Sequence, residues 1–260
     1  MRETRGTRCT APRALFYPVS VSDAIALEPG SPLLAEKRKP IRVRAVLIAL
    51  VASLLSAWLP AVLALVVLRF VNPPTTAVQL QRRVQAWVHG KPYTKRREFV
   101  PLSEISPAMQ HAVIAAEDAR FYQHHGFDWE AIQLAAEHDM DGGRIRGGST
   151  ITQQLVKNIF FGTRRSLLRK GVESTLVPVA ELVLGKQRIL ELYLNEVEWG
   201  PGIYGVEAAS RTYYHVPARS VSCEEGARLA AILPSPLKRR PERMDHYSGI
   251  ILERMAQMGW

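Results

Sequence analysis

From Ala45 to Leu68 the chain carries no charged residue. A run of about 20 apolar residues is enough for a helix to cross a bilayer, so this stretch predicts a transmembrane helix. Ser53, Ser56 and Pro60 interrupt it, which a membrane helix tolerates. The run has no polar face, unlike a helix lying on a soluble core. A cleaved leader fits less well: the run starts far from Met1, is long for such a segment, and meets Arg69 where small residues would mark cleavage.

Past the span, Leu80, Val84, Trp87 and Val88 recur at helical spacing and predict a helix over residues 77–89. Lys91 to Val100 reads as a polar connection. From Pro101 onward the periodicity is helical nearly throughout. Ser106-Pro107 is a cap followed by proline at the first helical position, opening a helix through Met109, Val113 and Ala116. Asp128 can cap the next. Thr150 with Gln153, and Ser222 with Glu225, are capping boxes. A helix over residues 166–184 is expected to bend at Pro178, a further one runs over residues 187–196, and the last follows Pro241. The fold class is therefore mainly α, with room for a small hairpin. Four regions are expected: residues 1–40 a cytoplasmic tail, 41–71 the transmembrane helix, 72–100 a juxtamembrane linker, and 101–260 the main helical domain.

Lys37, Arg38, Lys39, Arg42 and Arg44 crowd the N-terminal flank of the span. The positive-inside rule puts that flank in the cytoplasm and the main domain outside, although Arg69, Arg82 and Arg83 follow the span. The formal charge of +10 fits nucleic acid, anionic lipid or an anionic substrate. A span that carries the main domain away from nucleic acid disfavours the first, and lipid phosphates are the natural partners. Cys9 and Cys223 give no disulfide framework and are expected on opposite sides of the membrane.

Candidate chemistry gathers in clusters. Glu117-Asp118-Ala119-Arg120-Phe121-Tyr122-Gln123-His124-His125-Gly126 ends a helix-like run. A carboxylate there can take a proton from a sugar hydroxyl if its surroundings bring its pKa toward neutrality; a solvated helix end fits the stretch equally well. Gly147-Gly148-Ser149-Thr150-Ile151-Thr152-Gln153-Gln154 leads into a helix N-terminus, whose N–H groups favour anions. Its hydroxyls and amides, on Ser149, Thr150, Gln153 and Gln154, can donate to sugar or phosphate oxygens, or the stretch is a plain capped loop. Arg165, Arg169 and Glu173 share one helical face, with Lys157 and Lys170 near. They form either a charge-laced surface or a diphosphate clamp with a second carboxylate. Lys186 to Asn195 reads as an amphipathic helix before a glycine-rich turn.

In this order and spacing, Glu-Asp-x-x-Phe-x-x-His-x-Gly, Gly-Gly-Ser-Thr-x-x-Gln-Gln, Arg-Lys-x-x-Glu and Lys-x-x-Ile-Leu-x-x-Tyr-x-Asn closely resemble the signature set of the biosynthetic peptidoglycan glycosyltransferases. The resemblance covers the chain from about Pro101. It implies a lysozyme-like helical domain on one N-terminal membrane helix, in the inner membrane with the catalytic domain periplasmic. It implies polymerisation of lipid II into β-1,4-linked glycan with release of undecaprenyl diphosphate and inversion at the donor carbon. Glu117 then matches the general base. Ser149, Gln153 and Gln154 match the donor side, and Lys157 and Arg165 the diphosphate site. Glu173 matches the second carboxylate, which either assists the leaving group or ligates a divalent cation such as Mg²⁺ or Mn²⁺. Partners are the lipid substrate, the growing strand, the membrane and other cell-wall synthesis or division proteins, with no nucleic acid.

The chain departs from that set late in the domain, where Arg-x-x-x-Val-Leu is replaced by Tyr247 before Ile251-Leu252. Ser235-Pro236-Leu237-Lys238 resembles the Ser-x-x-Lys of penicillin-binding enzymes, yet no Ser-Asp-Asn or Lys-Thr-Gly follows, so a monofunctional enzyme is expected. A glycan hydrolase on the same scaffold has no diphosphate to hold, which the cations at residues 157–170 disfavour. A scaffold with a dead site is disfavoured by intact Glu117, Glu173 and Lys157. His124 and His125 lack further ligands at zinc spacing, and His124 reads as structural.

Overall fold

The computed structural model describes residues 43–133, 148–163 and 166–260. The chain falls into two compact units, Met1–Val46 and Leu47–Trp260. Of the first, only residues 43–46 are described, as the opening turn of α1.

Helix α1 (Val43–Leu68) is the predicted span. Its stretch Arg44–Leu68 has a mean hydropathy of 2.4, long and apolar enough to cross a membrane. Leu55, Leu59 and Leu63 are exposed along it. Its last turns are not free, because Leu65 and Leu68 are buried in the main core.

The segment expected as a linker is packed structure. Helix α2 (Ala77–Val88) opens on Thr76, whose side chain accepts from Gln79 N. From α2, Gln79 donates to Glu196 at 2.8 Å and Arg82 to Glu198 at 2.9 Å. Strand β1 (Arg96–Arg97) lies within the supposed polar connection and pairs in parallel with β3 (Ile203–Tyr204). β3 in turn runs antiparallel to β2 (Glu198–Gly200). The β2–β3 pair is the small hairpin that the sequence leaves room for. β1 is too short for any alternation to mark it, and the Arg97–Glu196 ion pair helps to hold it.

Helix α3 (Pro107–Glu117) starts on the Ser106 cap, which accepts from Met109 N at 3.1 Å. It packs on α7 (Cys223–Ile232) and α8 (Asp245–Gln257). Helix α4 (Ile151–Val156) carries the predicted Thr150–Gln153 capping box. It does not continue as α-helix to Phe160; residues Lys157–Phe161 widen into a π turn. Helix α5 (Leu167–Glu196) is interrupted at Gly185, where φ is 73° and ψ 163°, in the gap between the helices expected over residues 166–184 and 187–196; Pro178 lies inside its first half. A proline costs the helix one hydrogen bond while keeping a helical φ. A positive φ of that size takes the chain out of the helix and favours glycine. Helix α6 (Val206–Tyr213) follows the hairpin. The fold class is mainly α, as the periodicity predicts.

α1 and the first half of α5 run parallel. Trp58 Nε1 donates to Thr175 Oγ1 at 3.1 Å, and just past the end of α1 Arg69 Nη1 donates to Val183 O at 2.6 Å. Arg188 fastens the end of the span by donating to Leu68 O at 2.9 Å and to Val71 O at 3.1 Å. Trp58 is therefore a docking residue within the span.

Candidate active site

Glu117 ends α3, and the next residue anchors it. Asp118 is buried and takes two hydrogen bonds. Its Oδ2 accepts from Ile151 N at 3.0 Å, at the first turn of α4, and its Oδ1 lies 2.8 Å from His124 Nε2. Gly126 N donates to His124 Nδ1 at 3.1 Å, which makes Nδ1 the acceptor and leaves the ring proton on Nε2, facing Asp118. The end of α3 is thus stapled to the start of α4, and His124 is structural, as its motif implies.

The staple sets Glu117 opposite the second turn of α4. Gln154 Nε2 donates to Glu117 Oε2 at 2.6 Å, while Tyr193 from α5 donates its hydroxyl to Gln154 Oε1 at 3.0 Å. Burial pushes the Glu117 carboxyl above the usual carboxylate range. The Gln154 hydrogen bond and the charge of Lys157 oppose this, Asp118 adds to it, and Arg239 weakly opposes it. Burial, with the charges of Glu117 and Asp118, holds the Tyr193 phenol well above its ordinary value, so it stays a neutral donor.

Gly126 closes the first cluster with φ at 95°, and a Cβ there would sit 2.5 Å from Val177 Cγ1. Only glycine lets this turn lie on α5. The turn then gives its carbonyl to Thr150 Oγ1 at 2.7 Å, fixing the loop that carries Ser149. Glu117, Arg120, Ser149 and Thr150 line one cavity of about 330 Å³.

Not every predicted residue faces it. Gln153 is buried, and its Oε1 accepts from Thr150 N at 3.0 Å, so its amide is committed to the capping box. The Thr150 hydroxyl is likewise committed to Gly126 and the cap. Arg165 lies outside the described residues.

A cationic flank adjoins the base. Lys157 opens the π turn, a geometry that often marks functional positions. Burial lowers its pKa, the charges of Glu173 and Glu117 raise it, and Arg169 and Lys170 lower it again. Arg169 Nη1 donates to Gly162 O at 2.9 Å, and Lys170 Nζ donates to Glu173 Oε1 at 2.7 Å. Arg169 Nε and Glu173 Oε2 are buried without a hydrogen-bond partner among the described residues, which leaves one donor and one acceptor uncommitted. Among the described residues, the charged neighbours of Glu173 are Lys157 and Lys170, with Arg169 close by, cations that favour an anion over a divalent metal there. Among the described residues, the one group with metal-ligand proximity is Asp118, His124 and Asp128. Asp118 is spent on the staple, and Asp128 is paired with Arg120 while accepting from Ala131 N.

The sequence matches the model of the family described as Transglycosylase over residues 82–256. The chain belongs to the transglycosylase family. The match begins inside α2, and its helical domain has the lysozyme-like architecture of that family. This transglycosylase is 46% identical over 197 residues to the biosynthetic peptidoglycan transglycosylase of Pseudomonas putida, covering 74% of this chain and 84% of the relative. It is 44% identical over 197 residues to that of Pseudomonas aeruginosa (74% and 85% covered) and 43% over 202 residues to that of Pseudomonas syringae (76% and 86%).

Sequence reading of this transglycosylase missed Tyr193 as a site residue. It stands in the fourth motif, but its apolar helical neighbours give it the look of core. Arg239 adds only a weak charge effect on Glu117. Its guanidinium lies 4.8 Å from the ring centre of Tyr247, the residue that replaces the late motif arginine, and no local pattern links it to Glu117.

Proposed function

We propose that Glu117 is the general base of a peptidoglycan glycosyltransferase that polymerises lipid II. The observation that carries the assignment is the Glu117 carboxylate on the cavity wall, held by Gln154 at 2.6 Å. Glu117 takes the proton of the 4-hydroxyl on the acceptor's N-acetylglucosamine. That oxygen attacks C1 of the donor's N-acetylmuramic acid from the face opposite the diphosphate. The C1–O bond breaks, its electron pair leaves on undecaprenyl diphosphate, and the α-linked donor becomes a β-1,4 linkage. The base remains protonated until solvent takes the proton.

Lys157, Arg169 and Lys170, with Arg165, hold the diphosphate. The support is their positive charge and the unpartnered Arg169 Nε in a setting where charge develops on the leaving group. Diphosphate is already a good leaving group, so a strong general acid is less necessary than in a hydrolase. Glu173 orients Lys170 and faces the same anion. Ser149 lines the donor side. A divalent ion, where one takes part, would arrive on the diphosphate, since the described residues around Glu173 form no cage for it.

We further infer a single-pass protein of the inner membrane, with its N-terminus cytoplasmic and its helical domain periplasmic. The basic flank at residues 37–44 supports this. Exposed Leu167, Leu168 and Leu182 on α5 give that helix an apolar surface beside the span, suited to lipid. The catalytic domain takes in α2 and β1 as well as residues 101–260, since the family match begins at residue 82 and β1 pairs with β3.

The test is polymerisation of labelled lipid II by the full-length protein in detergent, with Glu117→Gln alongside. Lysozyme-sensitive polymer from the native protein alone is expected. No polymer from either, with lipid II still bound, would overturn the catalytic assignment.

A further inference from the structure

A second cavity, of about 420 Å³, opens beside the catalytic one and shares Arg120 and Asp128 with it. Nothing in the reaction above uses it. Its floor is aromatic: Phe127 and Trp129 stack with ring centres 5.4 Å apart and planes at 27°. Phe127 packs against the core, whereas the indole of Trp129 is 70% exposed. Gln123, His125 and Glu130 stand around it, all exposed.

We propose that Trp129 over Phe127 is a saccharide platform, which holds an N-acetylhexosamine ring of the glycan strand outside the reacting centre. A pyranose ring has an apolar C–H face and a rim of hydroxyls and amides. The pocket offers the matching surfaces, a flat indole below and hydrogen-bonding side chains at the edge. Phe127 fixes the plane of the indole before any ligand arrives, so little side-chain freedom is lost on stacking. The Arg120–Asp128 ion pair forms the wall common to both cavities, and a strand lying past Glu117 continues onto the indole.

A lipid surface also accepts exposed indoles. Here Asp128 and Glu130 share the single guanidinium of Arg120, leaving the rim acidic. Anionic lipid is repelled by such a rim, and a neutral sugar ring is not.

The platform rests on the polymerase reading, and the experiment separates the two. Full-length native protein, Trp129→Ala and Trp129→Phe are each titrated with N-acetylchitotetraose by calorimetry, and each polymerises labelled lipid II for a comparison of strand lengths. Loss of a stacked apolar face in Trp129→Ala is expected to weaken the oligosaccharide on the order of tenfold. Faster dissociation shortens the strands to match, while Trp129→Phe keeps most of both properties. Trp129→Ala is expected to hold the native melting temperature, because the side chain is exposed. Equal affinity and equal strand length in native protein and Trp129→Ala would overturn the platform while leaving the polymerase intact. No polymer from the native protein would instead overturn the reading beneath it. In proteoliposomes of brominated phosphatidylcholine, Trp58 in the span is quenched in every variant; a further share of the quenching that is lost in Trp129→Ala would also overturn the platform, by placing Trp129 in lipid.

Discussion

Tyr193 donates its phenolic hydrogen to Oε1 of Gln154 at 3.0 Å, which leaves only the amide nitrogen of Gln154 to meet Glu117. An amide can present either end, and the wrong end would set oxygen against carboxylate. Tyr193→Phe frees the amide to turn while keeping the ring in the core. One lost hydrogen bond of about 1–1.5 kcal/mol predicts a roughly tenfold fall in kcat/KM. The acid limb of the pH–rate profile should also move upward, since Gln154 lowers the Glu117 pKa. Gln154→Ala in the same background should add little, and a double-mutant cycle reads that coupling.

Glu117→Gln should lower kcat by about 10²–10⁴, the usual worth of a positioned base. Its effect on stability runs the other way. Burial raises the folded-state pKa of Glu117, so the folded protein holds this proton more tightly than the unfolded chain does. Stability is then lost as pH rises past the ordinary glutamate value of about 4.3 and through the folded-state value. Glu117→Gln should therefore melt above the native protein at about pH 7 and level with it at about pH 3.5. Thermal scans at the two pH values check this.

Arg169→Ala should act on binding more than on chemistry. Its buried Nε has no partner, and a charge-assisted hydrogen bond to diphosphate of about 1.5–3 kcal/mol predicts a roughly ten- to hundredfold rise in KM. Arg169→Lys keeps the charge without the planar fork and should recover only part of it. Competition by inorganic pyrophosphate should weaken in parallel, which steady-state kinetics at fixed ionic strength reads directly.

Gly126→Ala should destabilise the fold by about 2–4 kcal/mol, combining a positive φ with crowding of the core. The steric part is local: the added Cβ would meet Val177 Cγ1 at 2.5 Å. Val177→Ala in the same chain should relieve that part and leave the backbone strain. Urea midpoints of the two single variants and the double variant separate the terms.

Much of this was legible in the sequence because it is local. The Ser106, Thr150 and Ser222 caps and the span each need only a few neighbouring residues. Glu117 was legible through its motif. What stayed hidden depends on distant partners. Gln153 is the exception: its capping box with Thr150, legible locally, already spends its oxygen on Thr150 N. Tyr193 looked like core because its partner lies 39 residues away. β1 pairs with a strand more than a hundred residues later, beyond the reach of a two-residue pattern.

Leu65 and Leu68 belong at once to the span and to the hydrophobic core, and Arg188 clasps the joint. The anchor is consequently a mast stepped into the hull and not a mooring line. Residues inserted between α1 and its seat on α5 could not be taken up as slack; each would shift the span by about 1.5 Å against the domain. Where α1 crosses a bilayer, that seat sets the height at which the domain stands over it.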